Sequence, residues 1–310
     1  MRVSIVGLLE AVAVITVVFS IITLLPVDYH GIQLFSHFRL QYLIVSLLLL
    51  LLVKWLPNPW IIGALAIALV VNAAHVLPWY FGAPESSGNT ELKVLHANVL
   101  SRNTQYGRLL KLVDDESPDI IVLQEVSPGW AAELQSLQSA YPYSQVEARE
   151  GNFGIALLSR LPMSSSQVVT SPPLDYPTIV ADVPVGERTL RVVTTHPMIP
   201  LGKTFYDARN EQMASLSALL DSGSDARLLV GDLNASTWDP HLRSLQQASG
   251  LTNARAGFGV VPTWPAFMPL AMIPIDHVLV SDAISVTGFR SGRRIGSDHL
   301  PLVVTIALQH

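Results

Sequence analysis

The sequence predicts two unlike parts in one chain: a membrane-embedded helical segment, then a water-soluble α/β domain of mixed sheets with helices on their outer faces. Three observations carry this reading. The 310 residues are 50% hydrophobic but only 14% charged, whereas ordinary soluble domains carry about 25% charged residues. The charges are unevenly spread. Residues 1–86 hold only Arg2, Arg39 and Lys54 against Glu10, Asp28 and Glu85, so the remainder carries the whole net charge of −5. Past residue 89 long apolar runs give way to short strand-like and helix-like segments. The boundaries follow: a membrane part at 1–81, a linker at 82–90 rich in Gly, Pro and Ser, and a soluble domain at 91–310.

Three membrane spans are expected. Crossing a bilayer takes about 20 apolar residues, and the stretch from Arg2 to Asp28 supplies them with only Glu10 interrupting. It is too long for the apolar part of a signal peptide and lacks a small-residue cleavage motif. The second span covers residues 40–56, and its Lys54 can snorkel to the interface. The third covers 60–81, closing on the headgroup-type aromatics Trp79 and Tyr80. With the N-terminus in the cytoplasm, Arg2 and Lys54 lie inside and Arg39 lies in an outer loop, the sense favoured by positive-inside statistics. Glu10, Asn72 and His75 are expected near helix ends or packed between helices.

In the soluble domain, ELKVLHANV, DIIVLQEV, FGIALLSR, PTIVADVPV, TLRVVTTH, RLLVGDLN, IDHVLVS, ISVTGFR and LPLVVTIAL read as strands. Helices are expected at TQYGRLLKLVDDES, PGWAAELQSLQSA and residues 206–220. The absence of cysteine excludes a disulfide scaffold, a thiolate zinc site and a cysteine nucleophile. The acidic balance weighs against an electrostatic nucleic-acid binder.

Polar residues recur where the apolar strands end: Asn98, Glu125, His196, Asp232 and Asn234, then Asp276 opening a strand and Asp298-His299 preceding the last. Singly, each is an ordinary turn former or cap. Collected on one sheet rim, they make a site from distant parts of the chain. Carboxylates and amides without thiols favour a hard cation such as Mg²⁺ or Mn²⁺. His277, beside Asp276, points to the opposite strand face and reads as packing. His96 shares the strand face of Asn98 and is either buried or supportive of the site. His241 reads as incidental in a solvated helical stretch.

Gln124-Glu125, GDLN at 231–234 and SDH at 297–299, with IDHVLVS and GIALLSR as neighbours, resemble the endonuclease/exonuclease/phosphatase (DNase I-like) superfamily over about residues 91–310. The three-span prefix, Arg209-Asn-Glu-Gln212 and Pro262-Thr-Trp264 are most similar to a membrane-anchored bacterial branch. The resemblance implies a four-layer α/β/β/α sandwich that hydrolyses phosphate esters by metal-assisted attack of water. It implies Glu125 as metal ligand, with Asn98 and Asp298 as direct or water-mediated ligands to Mg²⁺ or Mn²⁺. Asp232 and His299 handle protons, Asp276 orients His299, and Asn234 and His196 grip phosphate oxygens. Whether Asp232 or the Asp276–His299 pair activates water stays open. Pro197 follows His196 where the family often has a bulky apolar residue, so an irregular loop is expected there.

Two further residues are candidate substrate contacts. Arg209 binds a substrate anion or caps its helix. Trp264 belongs to the apolar loop 260–274, whose Phe267, Met268 and Met272 either rim the site towards a lipid or form a satellite core. The expected partners are a phosphate-ester substrate, lipid headgroup or nucleic acid, and the bilayer itself; no protein partner is implied. The expected location is a bacterial inner membrane, with the catalytic domain on the periplasmic or external side. The alternative is a non-catalytic, membrane-tethered interaction protein on a degenerate hydrolase scaffold, against which the full residue set speaks.

Overall fold

The computed structural model describes residues 4–25, 27–82, 90–221, 223–224 and 226–309. Most of the expected linker, residues 83–89, lies outside the described residues. Helices α1 (Ile5–Ile22) and α4 (Pro59–Val76, continued by a 3-10 turn to Tyr80) are each long and apolar enough to cross a membrane. Ser4 caps α1 and Asn58 caps α4, with Pro59 in its first turn. Between them, α2 (His30–Ser36) and α3 (Arg39–Leu51) form a pair bent by 61°. At 1.5 Å per residue α3 spans about 20 Å, short of a hydrocarbon layer of about 30 Å. The second expected span is therefore a bent pair rather than one straight helix.

The three long helices pack around Ala13, Leu49, Leu56 and Leu65. At the end where α1 stops and α3 starts, Arg39 is buried rather than loop-exposed as expected. Its Nη1 donates to the Ser20 carbonyl at 2.9 Å and to Asn72 Oδ1 at 3.3 Å, while Asn72 Nδ2 donates to Ser20 Oγ at 2.8 Å. Asn72 thus packs between helices, as expected. Glu10 lies about 15 Å down α1 from Ser20, remote from this group.

The soluble domain is built on two six-stranded sheets. One runs β11 (Ile284–Ser291), β12 (Leu302–Leu308), β1 (Thr90–Asn98), β2 (Ile120–Gln124), β4 (Ile155–Ser159), β3 (Tyr143–Glu147). The other runs β5 (Ser165–Ser171), β6 (Tyr176–Val185), β7 (Arg188–Thr195), β8 (Ala226–Asp232), β10 (Asp276–Val280), β9 (Thr252–Asn253). Val94, Val122 and Leu157 meet Ile179, Val192, Leu228 and Val278 between the sheets. Outside, α5 (Tyr106–Glu116) and α6 (Pro128–Leu134) cover Leu95, Ile121 and Leu123 with Leu109, Leu112 and Trp130. On the far face α7 (Lys203–Leu220) and α8 (Pro240–Ser249) cover Val193 and Leu229 with Met213, Leu216, Leu242 and Leu245. The central strands are buried on both faces, which is why they read as unbroken apolar runs. This is the four-layer sandwich expected.

Sequence reading missed β3 and β5. Both are edge strands with mostly polar, half-exposed or exposed residues, and an edge needs no apolar stripe. Two glycines set close backbone approaches. A side chain at Gly231 of GDLN would collide with the Thr195 carbonyl, and one at Gly154 with that of Val126.

The turn after β8 is held from below by Arg209. Its Nη1 lies 2.9 Å from Asp239 Oδ2 in a fully buried pair and donates to the Asn234 carbonyl at 2.9 Å. Asp239 Oδ1 also caps α8 through the backbone N–H groups of His241 and Leu242. Arg209 is therefore neither a substrate contact nor the cap of its own helix. It is buried and spent on this turn. Burial works to raise the Asp239 carboxyl, but Arg209, His37 and His241 together outweigh it and hold the group below its ordinary value. A lowered carboxyl contributes stability that is present above the unfolded-state pKa and lost as pH falls through the folded one. Breaking a buried pair costs about 3–5 kcal/mol. Asp239→Asn is expected to lower the thermal unfolding midpoint of the full chain in detergent at pH 7, with the deficit shrinking as pH falls below about 4.

Candidate active site

The parallel pairs β1–β2 and β7–β8 send their C-terminal ends towards one rim of the sandwich, where antiparallel β10 begins. The register sets Asp276 directly opposite Asp232, two buried carboxylates that would repel if left alone. Three imidazoles compensate them. His299 Nδ1 donates to Asp276 Oδ2 at 2.8 Å, and His96 Nε2 donates to Asp276 Oδ1 at 2.8 Å. Asp232 Oδ2 faces His299 Nε2 at 3.5 Å and His196 Nε2 at 3.4 Å. Burial alone would lower His299; Asp276 and Asp232 overcome it and push the group up to about 10. Burial likewise opposes His196, which Asp232 nonetheless raises. Both aspartates are lowered in spite of their burial, with His299 the strongest cause.

Asn98 ties the two sheets together. Its Nδ2 donates to Glu125 Oε1 at 3.0 Å and to Asp232 Oδ2 at 3.1 Å, while its Oδ1 accepts from Leu100 N–H at 3.0 Å. An amide oriented this way holds two carboxylates through its nitrogen, and its oxygen is taken by the Leu100 N–H. Glu125 sits at φ +60°, and Asn234 at +49°. Asn tolerates this left-handed region. For Glu it costs on the order of 1–3 kcal/mol and marks a backbone held by its surroundings. Here Glu125 Oε2 accepts from Ser101 N–H at 3.1 Å. Asn234 N–H donates to Asp232 Oδ1 at 3.0 Å, and its side chain donates to the Pro197 carbonyl at 3.0 Å. His196 Nδ1 donates to the Asn152 carbonyl at 2.9 Å, which leaves Nε2 for the site.

These residues floor a cleft of about 320 Å³. Glu125, His196, Asp232, Asn234, Asp298 and His299 line it, together with Trp264. Trp264 Nε1 donates to Asp298 Oδ2 at 3.1 Å, whereas Asp298 Oδ1 is buried without a hydrogen-bond partner among the described residues. Donor atoms of Asp232, Asp276 and His299 lie within 4.8 Å of one another. Both Asp276 oxygens and His299 Nδ1 in that trio are already paired with one another or with His96. Of the four carboxylates gathered here, Asp232 and Asp276 are paired with imidazoles, whereas Glu125 and Asp298 have no cationic side chain in ion-pair range among the described residues.

Several functional contacts escaped sequence reading. His96 buttresses Asp276; its signal was the strand face shared with Asn98. Gln124 Nε2 donates to Thr194 Oγ1 at 2.8 Å, joining the sheets beneath the site. Least legible, the apolar N-terminal helices supply Leu34 and His37 to the cleft wall. His37 Nδ1 lies 2.8 Å from Ser236 Oγ, and Gln41 Nε2 donates to the Met272 carbonyl at 2.8 Å. His277 packs as expected, its Nε2 donating to the Ala235 carbonyl at 2.7 Å. His241 is not incidental, because its Nε2 meets Tyr206 Oη at 3.0 Å and Asp28 at 3.1 Å. The loop 260–274 divides: Met272 is buried, and Phe267, Met268 and Leu270 are exposed.

Among curated proteins, sequence comparison finds no relative of this chain. Among solved structures the fold is similar to a humanized D. rerio TDP2, with TM-score 0.61 and 15% identity, over 70% of this chain and 99% of that one. It is similar to the 3′ phosphatase NExo from Neisseria, bound to product DNA hairpin, with TM-score 0.58 and 21% identity, over 71% and 100%. It is also similar to sphingomyelinase C from Streptomyces griseocarneus, with TM-score 0.53 and 16% identity, over 71% and 100%. Residues 95–299 match the family described as the Endonuclease/Exonuclease/phosphatase family. With that match reaching strands of both sheets and every residue of the cleft floor, the chain belongs to the endonuclease/exonuclease/phosphatase family.

Proposed function

We propose that this chain is a membrane-anchored, divalent-metal-dependent hydrolase that cleaves a phosphoester carried by a lipid. The observation that carries the hydrolase reading is the buried Asp276–His299–Asp232 array facing unneutralised Glu125 and Asp298 across one cleft. Two hard oxygen donors lacking a cationic side chain, one with an orphaned oxygen, fit Mg²⁺ or Mn²⁺. Glu125 and Asp298 would hold the ion, which when bound neutralises phosphoryl and leaving-group oxygen charge.

The chain's own residues supply the rest. Asp232 has Oδ1 fixed by Asn234 N–H and keeps Oδ2 towards the cleft, placed to accept the proton of an attacking water. Asp276, with both oxygens committed, fixes His299 so that Nε2 faces the substrate and hydrogen-bonds a phosphoryl oxygen. His196 and Asn234 border the same space and position the phosphate.

The lipid reading rests on the cleft wall. Leu34, Phe153, Ile199 and Leu201 line it beside the charged floor, which suits an amphiphile with a polar end. Gln41 on α3 ties the loop before β10 to the membrane helices, so exposed Phe267, Met268 and Leu270 lie towards the headgroup layer. The net charge of −5 disfavours a tight nucleic-acid complex.

Three tests follow. The full chain in detergent, assayed on bis-p-nitrophenyl phosphate, p-nitrophenyl phosphate, DNA, sphingomyelin and glycerophospholipids, is expected to turn over a lipid substrate with Mg²⁺ or Mn²⁺ and to stop with EDTA. Asp232→Asn and His299→Ala should each lower kcat by about 10²–10⁴-fold; preferred DNA turnover would reassign the substrate, and silence from folded protein that binds no metal would favour the interaction-protein alternative. Trp264→Phe removes the donor to Asp298 and should raise the metal concentration for half-maximal activity about 10–100-fold. Leu270→Asp should lower turnover of liposome-borne substrate while leaving soluble bis-p-nitrophenyl phosphate unaffected; equal loss on both would refute the bilayer-facing loop.

A further inference from the structure

A second cavity, of about 540 Å³, lies between the membrane helices and α8. It shares none of its lining residues with the catalytic cleft. Thr23 where α1 stops, Arg39 where α3 begins, His75 near the end of α4, and His241 and Arg243 of α8 all border it. The helices run up, down and up, so these ends share one level, where the spans leave the apolar layer beneath the soluble domain.

Arg39 makes this cavity unusual. It is only 2% exposed, and Nη1 donates to neutral oxygens of Ser20 and Asn72. Its Nε, also buried, has no hydrogen-bond partner among the described residues, and no carboxylate of those residues lies within ion-pair distance. A guanidinium taken from water without a counter-charge is strongly disfavoured unless an anion accompanies it. Asp28, the carboxylate among the lining residues, does not serve. Tyr206 Oη donates to it at 2.6 Å, His241 Nε2 lies 3.1 Å away, and its side chain is 67% exposed. Arg243, exposed at the rim, brings a second guanidinium.

We infer that this cavity binds the phosphate headgroup of an anionic phospholipid, with Arg39 at its base and Arg243 at its rim. Planar guanidinium forks match phosphate oxygens geometrically. A cavity opening between helix ends at headgroup depth draws that phosphate from the bilayer. A lipid held there would bridge the membrane helices to α8 alongside the existing bond from Trp238 Nε1 to the His75 carbonyl, 3.0 Å. The site is independent of catalysis.

The test uses the full chain in detergent, equilibrated with phosphatidylglycerol, phosphatidylcholine or inorganic phosphate, and read by native mass spectrometry and thermal unfolding. One phosphatidylglycerol is expected to be retained and to raise the unfolding midpoint, with phosphatidylcholine doing neither. Arg243→Gln, at an exposed position that leaves packing intact, should weaken retention roughly tenfold, the loss of a charge-assisted contact. Arg39→Gln should weaken it at least as much. Lys54→Gln, at the opposite end of α3, should leave it unchanged. Equal retention of both lipids, wild-type retention by Arg243→Gln, or an equal loss in Lys54→Gln would overturn the assignment. Stabilisation by inorganic phosphate matching that by phosphatidylglycerol would also overturn it, because a free anion would then be the ligand.

Discussion

The β8–β10 register is the constraint on which the rest of the site depends. By pairing Asp276 with Asp232, it forces two carboxylates together in a region that excludes water. Coulomb repulsion and desolvation would both drive one of them to protonate. Instead His96, His196 and His299 arrive from β1, from the loop after β7 and from the loop before β12, respectively, and hold both aspartates in the charged form. The array is therefore a folding constraint as much as a chemical one. Both sheets must dock before its charges are balanced, and Asn98 and Gln124 bridge them just beneath.

The backbone around the array is shaped to the same end. Gly231 admits the Thr195 carbonyl against β8, Asn234 turns the chain in a left-handed conformation, and Glu125 is held in one that Glu rarely adopts. Arg209 and Asp239 support this turn from below without reaching the cleft. Buried pairs of this kind add little net stability compared with apolar packing, but losing one partner strands the other. Their effect is to give the turn one conformation.

The apolar N-terminal helices do more than trail from the sandwich. His37, Gln41, His75 and the Trp79 carbonyl each bond to the soluble domain, and Leu34 forms part of the cleft wall. This contact line decides what the cleft faces, because the bent α2–α3 pair brings an apolar surface beside a charged floor. It also encloses the separate cationic cavity around Arg39. Neither feature belongs to the sandwich alone.

By itself, the sequence determined the two-part organisation, the buried strands and the identity of most of the cleft floor. Apolar run length, charge distribution and strand-end polar residues are local properties, and the GDLN and SDH segments carry their resemblance in consecutive residues. It also singled out Glu125, Asp232, Asp276 and His299. Only the tertiary structure decided that Asn98 donates to carboxylates, that Arg209 is spent on Asp239, that His96 buttresses Asp276, and that Arg39 is buried. Each of these depends on a partner 19 to 180 residues away. A side chain's role is set by which charge or dipole the fold places against it, and that distance is not encoded in the neighbours of either residue.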